Sequence, residues 1–434
     1  RIPASRPAAP ELRIEPNVLR STLRLVSALR TDRRVFRTAL MVSWFWAVGA
    51  VLLSLLPVIV TGALGGSERT VSAALALFAV AVALGSALAA WLCRGRIVLL
   101  PAPVATLAIA AFTMDLAFAL GGEPNGARAF ADLAAIALFS AFLVVPTFAA
   151  IQSWAPDEGR ARTIAGVNAM SAGFMAVGGI ALALLQAAGA SLGLVLALLG
   201  ALNLVAAVLM FRNLPTNPLR DLVSIVFRVF HRLEVEGLEN LGKAGPSPIL
   251  ALNHVSFLDA GLALAITDRE PVFAIDHTIA TRPWVKPFLR FVRAMPLDPS
   301  RPISTRTLIK AVEGGEPLVI FPEGRITVTG GLMKVYDGAA MVAGRTGAPV
   351  VPIRIEGLER SFLSRLSDRQ VRRTLFPKVR VTILPPERIS LGEGGTARQR
   401  RARAGAALYR IMSDLMFQTE RTDTSVLDTI IRNA

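Results

Sequence analysis

Asn253-His254-Val255-Ser256-Phe257-Leu258-Asp259 decides how this chain is read, together with a second block, Phe321-Pro322-Glu323-Gly324-Arg325. A histidine followed five positions later by an aspartate suits removal of a proton from a hydroxyl. The carboxylate fixes the imidazole tautomer and stabilises the imidazolium that forms. Five residues of regular helix turn through about 500 degrees, which would point the two side chains to different faces. The backbone must therefore turn between them, and the pattern predicts a strand-to-helix turn with His254 as general base and Asp259 as its orienter. In the second block an arginine follows a glycine directly after the apolar run 318–321. That pairing offers a charged fork and close backbone approach, as a phosphate requires. Either block alone also reads blandly, the first as a capped helix start and the second as a strand end with a surface ion pair. Both in order, each behind an apolar run, point to a site.

These residues resemble the glycerolipid acyltransferase family, whose members carry an Asn-His pair with an aspartate five after the histidine and then a Phe-Pro-Glu-Gly block. The likeness covers roughly residues 219–420. The longer runs 321–327 and Leu332-Met333-Lys334-Val335-Tyr336-Asp337-Gly338 are similar, more narrowly, to the acyltransferase domain of bacterial 2-acylglycerophosphoethanolamine acyltransferase/acyl-carrier-protein synthetase. The resemblance implies transfer of a fatty acyl group from a thioester to the free hydroxyl of a lysophospholipid. In that reading His254 takes the hydroxyl proton and Asp259 orients it. Glu323 and Gly324 shape the acceptor headgroup pocket, Arg325 and Lys334 hold the phosphate, and Asn253 makes a polar contact at the turn. Attack on the thioester is direct, because no cysteine or evident serine nucleophile accompanies the base.

Two departures from the broad family bear on the acceptor. Arg325 directly follows Gly324, and Asp298-Pro299 stands where lysophosphatidate acyltransferases usually show an arginine. The expected acceptor is therefore 2-acylglycerophosphoethanolamine, with Asp298 either meeting its ammonium or capping a turn. The alternative is 1-acylglycerol-3-phosphate, in phosphatidate synthesis. The resemblance further implies an acyl carrier protein thioester, made by an adenylating domain beyond Ala434, with a coenzyme A thioester as the alternative. No metal, bound cofactor or nucleic acid is expected.

Composition divides the chain in two. With 434 residues, 53% hydrophobic, 18% charged and a net charge of +16, it is not one ordinary soluble domain and reads as membrane plus cytosol. Cys93 is the single cysteine and sits in an apolar run, which excludes disulfide frameworks and cysteine zinc sites. Six apolar runs, at about 38–63, 71–93, 97–121, 129–152, 163–187 and 190–211, each match the roughly 20 helical residues that span a hydrocarbon core. Arginines at 30, 33, 34 and 37, at 94 and 96, at 160 and 162, and at 212 and 220 mark alternate connections. By the positive-inside rule these face the cytoplasm, as does everything after Phe211.

A six-helix block is half of a major facilitator transporter. Ser43-Trp44-Phe45-Trp46-Ala47-Val48-Gly49, and Gln152 with the run 155–162, are similar to the carboxyl half of bacterial lysophospholipid transporters of that superfamily. That likeness implies a companion half upstream of Arg1. Asp115, the charged residue deepest in an apolar run, is either a transport residue or one that reaches interfacial water. Trp44 and Trp46 read as a membrane-interface belt.

The expected organisation is a cytoplasmic loop (1–37), an all-α six-helix transmembrane bundle (38–212), a linker with an amphipathic helix (213–233), an α/β acyltransferase domain (234–420) and a linker onward (421–434). In the third segment, apolar residues at 219, 222, 223, 226, 229, 230 and 233 oppose Arg220, Ser224, Arg228, His231 and Arg232, a pattern suited to the bilayer interface. His231 and His277 lack a partner block and are assigned no catalysis. Apolar strand candidates at 248–252, 271–275, 293–297, 317–321, 349–355 and 378–384 alternate with helical stretches, which argues an α/β domain. Basic runs at 369–378 and 398–403 suit anionic lipid or acidic acyl carrier protein. The expected location is a bacterial inner membrane, with the acyltransferase domain in the cytoplasm. A rival reading of another class is a lysophospholipid transporter whose second domain is a non-catalytic accessory.

Overall fold

The computed structural model describes residues 17–121, 124–267, 269–283, 285–289, 292–297, 302–392 and 394–419. Asp298 and the linker 421–434 lie outside them. The chain forms two compact units, one through Asp221 and one from Leu222.

The first unit is helical: α1 (Val18–Ala28), α2 (Arg33–Pro57), α3 (Glu68–Leu92), α4 (Pro101–Ala119), α5 (Gly126–Trp154), α6 (Arg160–Ala187), α7 (Leu192–Arg212) and the start of α8 (Pro218–Phe230). Six of these helices, α2 with its continuation to Ala63 and then α3 to α7, are long and apolar enough to cross a membrane. Side-chain caps mark their starts, with Asp32, Ser67, Asn125 and Ser191 accepting from first-turn amides. Between apolar helices water exerts no drive, so small residues and buried polar pairs set the contacts. At Gly85 a Cβ would collide with the Leu138 carbonyl, which lets α3 approach α5 closely. Ser43 meets Ser171 at 3.2 Å, and Trp44 Nε1 donates to Asn203 Oδ1 at 2.9 Å.

That last bond revises the belt reading of Trp44. α2 begins at Arg33, before the apolar run, so Trp44 lies roughly 16 Å along the helix and ties it to α7. Asp115 pairs with Arg128, the two side chains 37% and 50% exposed.

The second unit is α/β. Its seven strands are β1 (Glu234–Glu236), β2 (Ile249–Leu252), β3 (Val272–Asp276), β4 (Arg293–Leu297), β5 (Leu318–Ile320), β6 (Val350–Glu356) and β7 (Arg380–Ile383). They run in the order β1-β7-β6-β2-β5-β3-β4, parallel throughout except where β7 meets β6. Its helices after α8 are α9 (Glu239–Lys243), α10 (Asp259–Ile266), α11 (His277–Ala280), α12 (Lys286–Leu289), α13 (Pro302–Glu313), α14 (Asp337–Thr346) and α15 (Ala397–Thr419). Six strands fall on the expected apolar runs. The additional one, β1, is a three-residue edge strand reading Glu-Val-Glu and has no apolar run to announce it.

β2 is buried on both faces, as a central parallel strand must be. Leu250 and Leu252 join one core with Phe227 of α8 and Leu262 of α10. Ile249 and Ala251 join the other with Leu308 of α13, Ala343 of α14 and Leu408 of α15. The chain leaves β2 through α10 toward β3 and leaves β5 through α14 toward β6, in opposite directions on opposite faces. The carboxyl ends of these two adjacent strands therefore form a topological switch point, where α/β sheets place ligands.

The polar side of α8 differs from expectation. Arg220, Ser224, Arg228 and His231 are buried, whereas Leu222, Val226, Val229 and Phe230 are exposed. Asp221 explains part of this inversion. Its carboxylate, wholly buried, accepts from Arg96 at 2.9 Å and from the amides of Leu99 and Leu100 at 2.9 and 3.0 Å.

Candidate active site

Two loops at the ends of β2 and β5 build the site. After β2 the chain needs to turn into α10, and Asn253 makes the exit rigid. Its side-chain amide donates to the Ile355 carbonyl at 3.0 Å and accepts from the Ile355 amide at 2.6 Å, imitating one more ladder pair with β6. Asn253 is buried and both ends of its amide are engaged with backbone. The polar contact expected of Asn253 at the turn is thus made with the scaffold, through the Ile355 backbone.

Asp259 opens α10 and closes the turn from the other side. Its Oδ2 accepts from the amides of Val255 at 2.6 Å and Ser256 at 2.9 Å and from His254 Nδ1 at 2.8 Å. These bonds bend the backbone so that residues five apart meet, as the pattern required. Burial pushes the Asp259 carboxyl above its ordinary pKa, against the pull of His254 and the two amides. The bond to Nδ1 fixes the tautomer with the proton on that nitrogen, leaving Nε2 as the basic atom. The His254 side chain is 18% exposed, and Nε2 has no protein partner among the described residues.

The second loop holds the same histidine by three further contacts. The His254 ring stacks on Phe321, with centroids 4.1 Å apart and planes at 22°. Its amide donates to Glu323 Oε1 at 3.1 Å, and its carbonyl accepts from the Thr327 amide at 2.7 Å. Glu323 Oε2 accepts from the Met333 amide at 2.9 Å. Glu323 is thus a buried strut between the base turn and the segment carrying Lys334, and burial raises its pKa despite the Met333 and His254 amides. It shapes the site from behind.

Gly324 has φ +66, and a Cβ there would meet the Tyr336 ring at 3.1 Å. Arg325 and Lys334 are both exposed, and the Lys334 ammonium lies 5.2 Å over the Tyr336 ring. Arg325 has no ion-pair partner among the described residues.

The structure thus brings together His254, Asp259, Glu323, Gly324, Arg325 and Lys334, and places Asn253 behind them. Sequence reasoning missed Phe321 as the platform for the imidazole, Thr327 and Met333 as backbone donors, and Tyr336 as the wall over Gly324. Phe321 and Tyr336 stand within the quoted motifs, but only the fold shows which way they face. Among the described residues no cluster of His, Cys, Asp or Glu has the arrangement of a metal site. Ser256 Oγ bonds Ser361 Oγ at 2.9 Å and is buried, so it is not a nucleophile presented to substrate.

This geometry can take a proton from a hydroxyl, and two exposed cations, Arg325 and Lys334, stand on the second loop and the segment its strut reaches. Residues 232–356 match the acyltransferase family. The second half of the chain accordingly carries an acyltransferase domain that resembles lysophosphatidate acyltransferases. Over 137 residues it is 28% identical to a chloroplastic 1-acyl-sn-glycerol-3-phosphate acyltransferase of Brassica napus, covering 31% of this chain and 40% of that protein. Over 141 residues it is 28% identical to a chloroplastic enzyme of the same description from Arabidopsis thaliana, covering 31% of this chain and 38% of the other. The chain thus spans about two fifths of the length of these relatives. The crystal structure of the 1-acyl-sn-glycerophosphate acyltransferase PlsC from Thermotoga maritima aligns with TM-score 0.35 and 19% identity, over 50% of this chain and 90% of that one.

Proposed function

We propose that the protein is a membrane-bound acyltransferase that moves a fatty acyl group from a thioester to the free hydroxyl of a lysophospholipid. The observation that carries this reading is the His254–Asp259 pair, with Nε2 free, set between Phe321 and the strut Glu323. His254 Nε2 takes the hydroxyl proton as the oxygen attacks the thioester carbonyl, and the imidazolium is stabilised by Asp259. Collapse of the tetrahedral intermediate expels the thiolate, which takes the proton back from His254. The products are a diacyl phospholipid and a free thiol. Arg325 and Lys334 are the cations assigned to the acceptor phosphate, and Gly324 admits the headgroup closely.

Two acceptors fit this chemistry. The named relatives support 1-acylglycerol-3-phosphate. The Asp298-Pro299 departure, with only Arg325 and Lys334 assigned to the phosphate, supports 2-acylglycerophosphoethanolamine. The donor is an acyl carrier protein or coenzyme A thioester. The runs 43–49 and 155–162 support a transporter role for the six helices, which would deliver lysophospholipid to the enzyme.

The test is a competition between the two labelled lysolipids, with each thioester in turn, on purified protein in vesicles. His254→Ala should abolish incorporation of both acceptors. Transfer by wild type to neither acceptor overturns the reading, and preference for one of them fixes the headgroup.

A further inference from the structure

The segment joining β6 to β7, residues 357–379, is tied up from within. The Arg373 guanidinium donates to the carbonyls of Ser361 at 2.5 Å, Ser364 at 3.2 Å and Leu366 at 2.5 Å, and pairs with Asp368 at 2.9 Å. The Thr374 amide reaches the Arg360 carbonyl at 2.9 Å, and Leu358 and Leu366 are buried beneath. A loop with its backbone satisfied and its own apolar anchors has no need to display large apolar side chains. Nevertheless Phe362, Leu363, Leu375 and Phe376 are 63%, 49%, 68% and 50% exposed. Phe376 packs against Phe230 of α8, with ring centroids 4.9 Å apart. The outer face of α8 continues the patch with Val229, Val226 and Leu222, spaced as one helical stripe. Apolar exposure of this extent marks an interaction surface.

Three features choose the occupant. Arg365, Arg369 and Arg372 are exposed on the same loop, and leucines and phenylalanines rimmed by arginine suit an anionic interface. Six helices of the same chain are long and apolar enough to cross a membrane, so a bilayer is always at hand. The loop also grips the catalytic turn. The Phe257 amide donates to the Leu363 carbonyl at 3.1 Å, Ser364 bridges Ser256, and Arg365 lies 5.7 Å over the Phe257 ring.

We propose that the 361–376 loop and the outward face of α8 form one bilayer-docking surface that inserts Phe362, Leu363, Leu375 and Phe376 among anionic lipids. The docked loop holds the His254 turn at headgroup level, so that a lysophospholipid reaches the base without leaving the bilayer. This last consequence rests on the acyl-transfer reading, whereas the docking itself does not.

The full chain, with Cys93→Ser, carries a nitroxide at Phe362→Cys, Phe376→Cys or Val226→Cys in vesicles of phosphatidylethanolamine and phosphatidylglycerol. Lys310→Cys, exposed on α13 against the opposite face of the sheet, is the aqueous control. Docking makes the first three probes accessible to oxygen and shielded from an aqueous nickel chelate, with the reverse at position 310. Nickel access at 362 and 376 equal to that at 310 overturns the proposal, and is the outcome if the patch awaits a protein such as an acidic carrier. In a second arm, Phe362→Asp combined with Phe376→Asp should slow transfer to a long-chain lysophospholipid in vesicles about tenfold while sparing a short-chain acceptor dissolved as monomer. Equal slowing of both acceptors also overturns it. Wild type inactive on either acceptor defeats the acyl-transfer reading alone, and the nitroxide result then decides the docking surface.

Discussion

Glu323→Gln removes half of the strut that joins the two halves of the site. The carboxylate accepts two buried amides at once, His254 at 3.1 Å and Met333 at 2.9 Å. A glutamine offers one oxygen and one NH2, so whichever way the amide turns, one backbone N–H faces another donor. A buried donor left without an acceptor costs about 1–3 kcal/mol. Taken as displacement of the base turn from the phosphate side, that cost lowers kcat by about 5- to 150-fold, at 1.4 kcal/mol per factor of ten. Taken as loss of folding stability, the same cost lowers the unfolding midpoint. Glu323→Asp should act in the same direction, because a side chain one methylene shorter spans one amide and not both. The assay is initial-rate acyl transfer with varied donor and acceptor, run beside thermal unfolding of the purified variants. A positioning role predicts a fall in kcat with little change in the KM of the thioester. A Glu323→Gln protein that keeps both wild-type kcat and wild-type unfolding would refute the strut.

Asp259→Asn keeps an oxygen for the amides of Val255 and Ser256 but removes the charge that stabilises the imidazolium, so kcat should fall about 100-fold or more, as for His254→Ala; initial rates that retain a tenth of wild type would remove the pair from its role. Gly324→Ala should raise the acceptor KM, because φ +66 disfavours a Cβ by roughly 1–2 kcal/mol and the Tyr336 ring stands 3.1 Å from it. Adding Tyr336→Leu should restore the part due to contact and leave the part due to strain, read as a coupling in a double-mutant cycle. His231 is buried with Nδ1 3.1 Å from the Pro377 carbonyl, and burial lowers its pKa against the pull of that bond. A lowered histidine pKa gives stability that is complete above the unfolded value near 6.5 and is lost as pH falls below it. His231→Gln should flatten the decline in unfolding midpoint on acidification below about 6.5, and an unaltered decline would show that other groups cause it.

Much of the second unit is legible in the residues themselves. A parallel strand buried on both faces must be an uninterrupted apolar run, so Ile249–Leu252 announces itself, as does the apolar first half of β6, and prolines at 271, 317 and 349 mark where such runs begin. The membrane helices are legible for the same reason, since a hydrocarbon core demands apolar length. The histidine, its aspartate and the Phe-Pro-Glu-Gly-Arg block are local motifs, and their chemistry follows from residue type and spacing. What spacing leaves open is direction. That His254 and Glu323 meet at all is decided by β2 and β5 being neighbours in the sheet. That Asn253 spends its amide on Ile355 is decided by β6 lying on the other side. The hydrophobic pattern of α8 shows two faces but not which is covered. Its arginines and Asp221 are buried and Leu222, Val226 and Val229 exposed because buried ion pairs and hydrogen bonds can satisfy a polar face, and only the packed chain supplies those partners. Local sequence therefore fixes periodicity, turn chemistry and the candidate base, whereas strand order and packing determine which polar groups are consumed by the scaffold and which remain free to act.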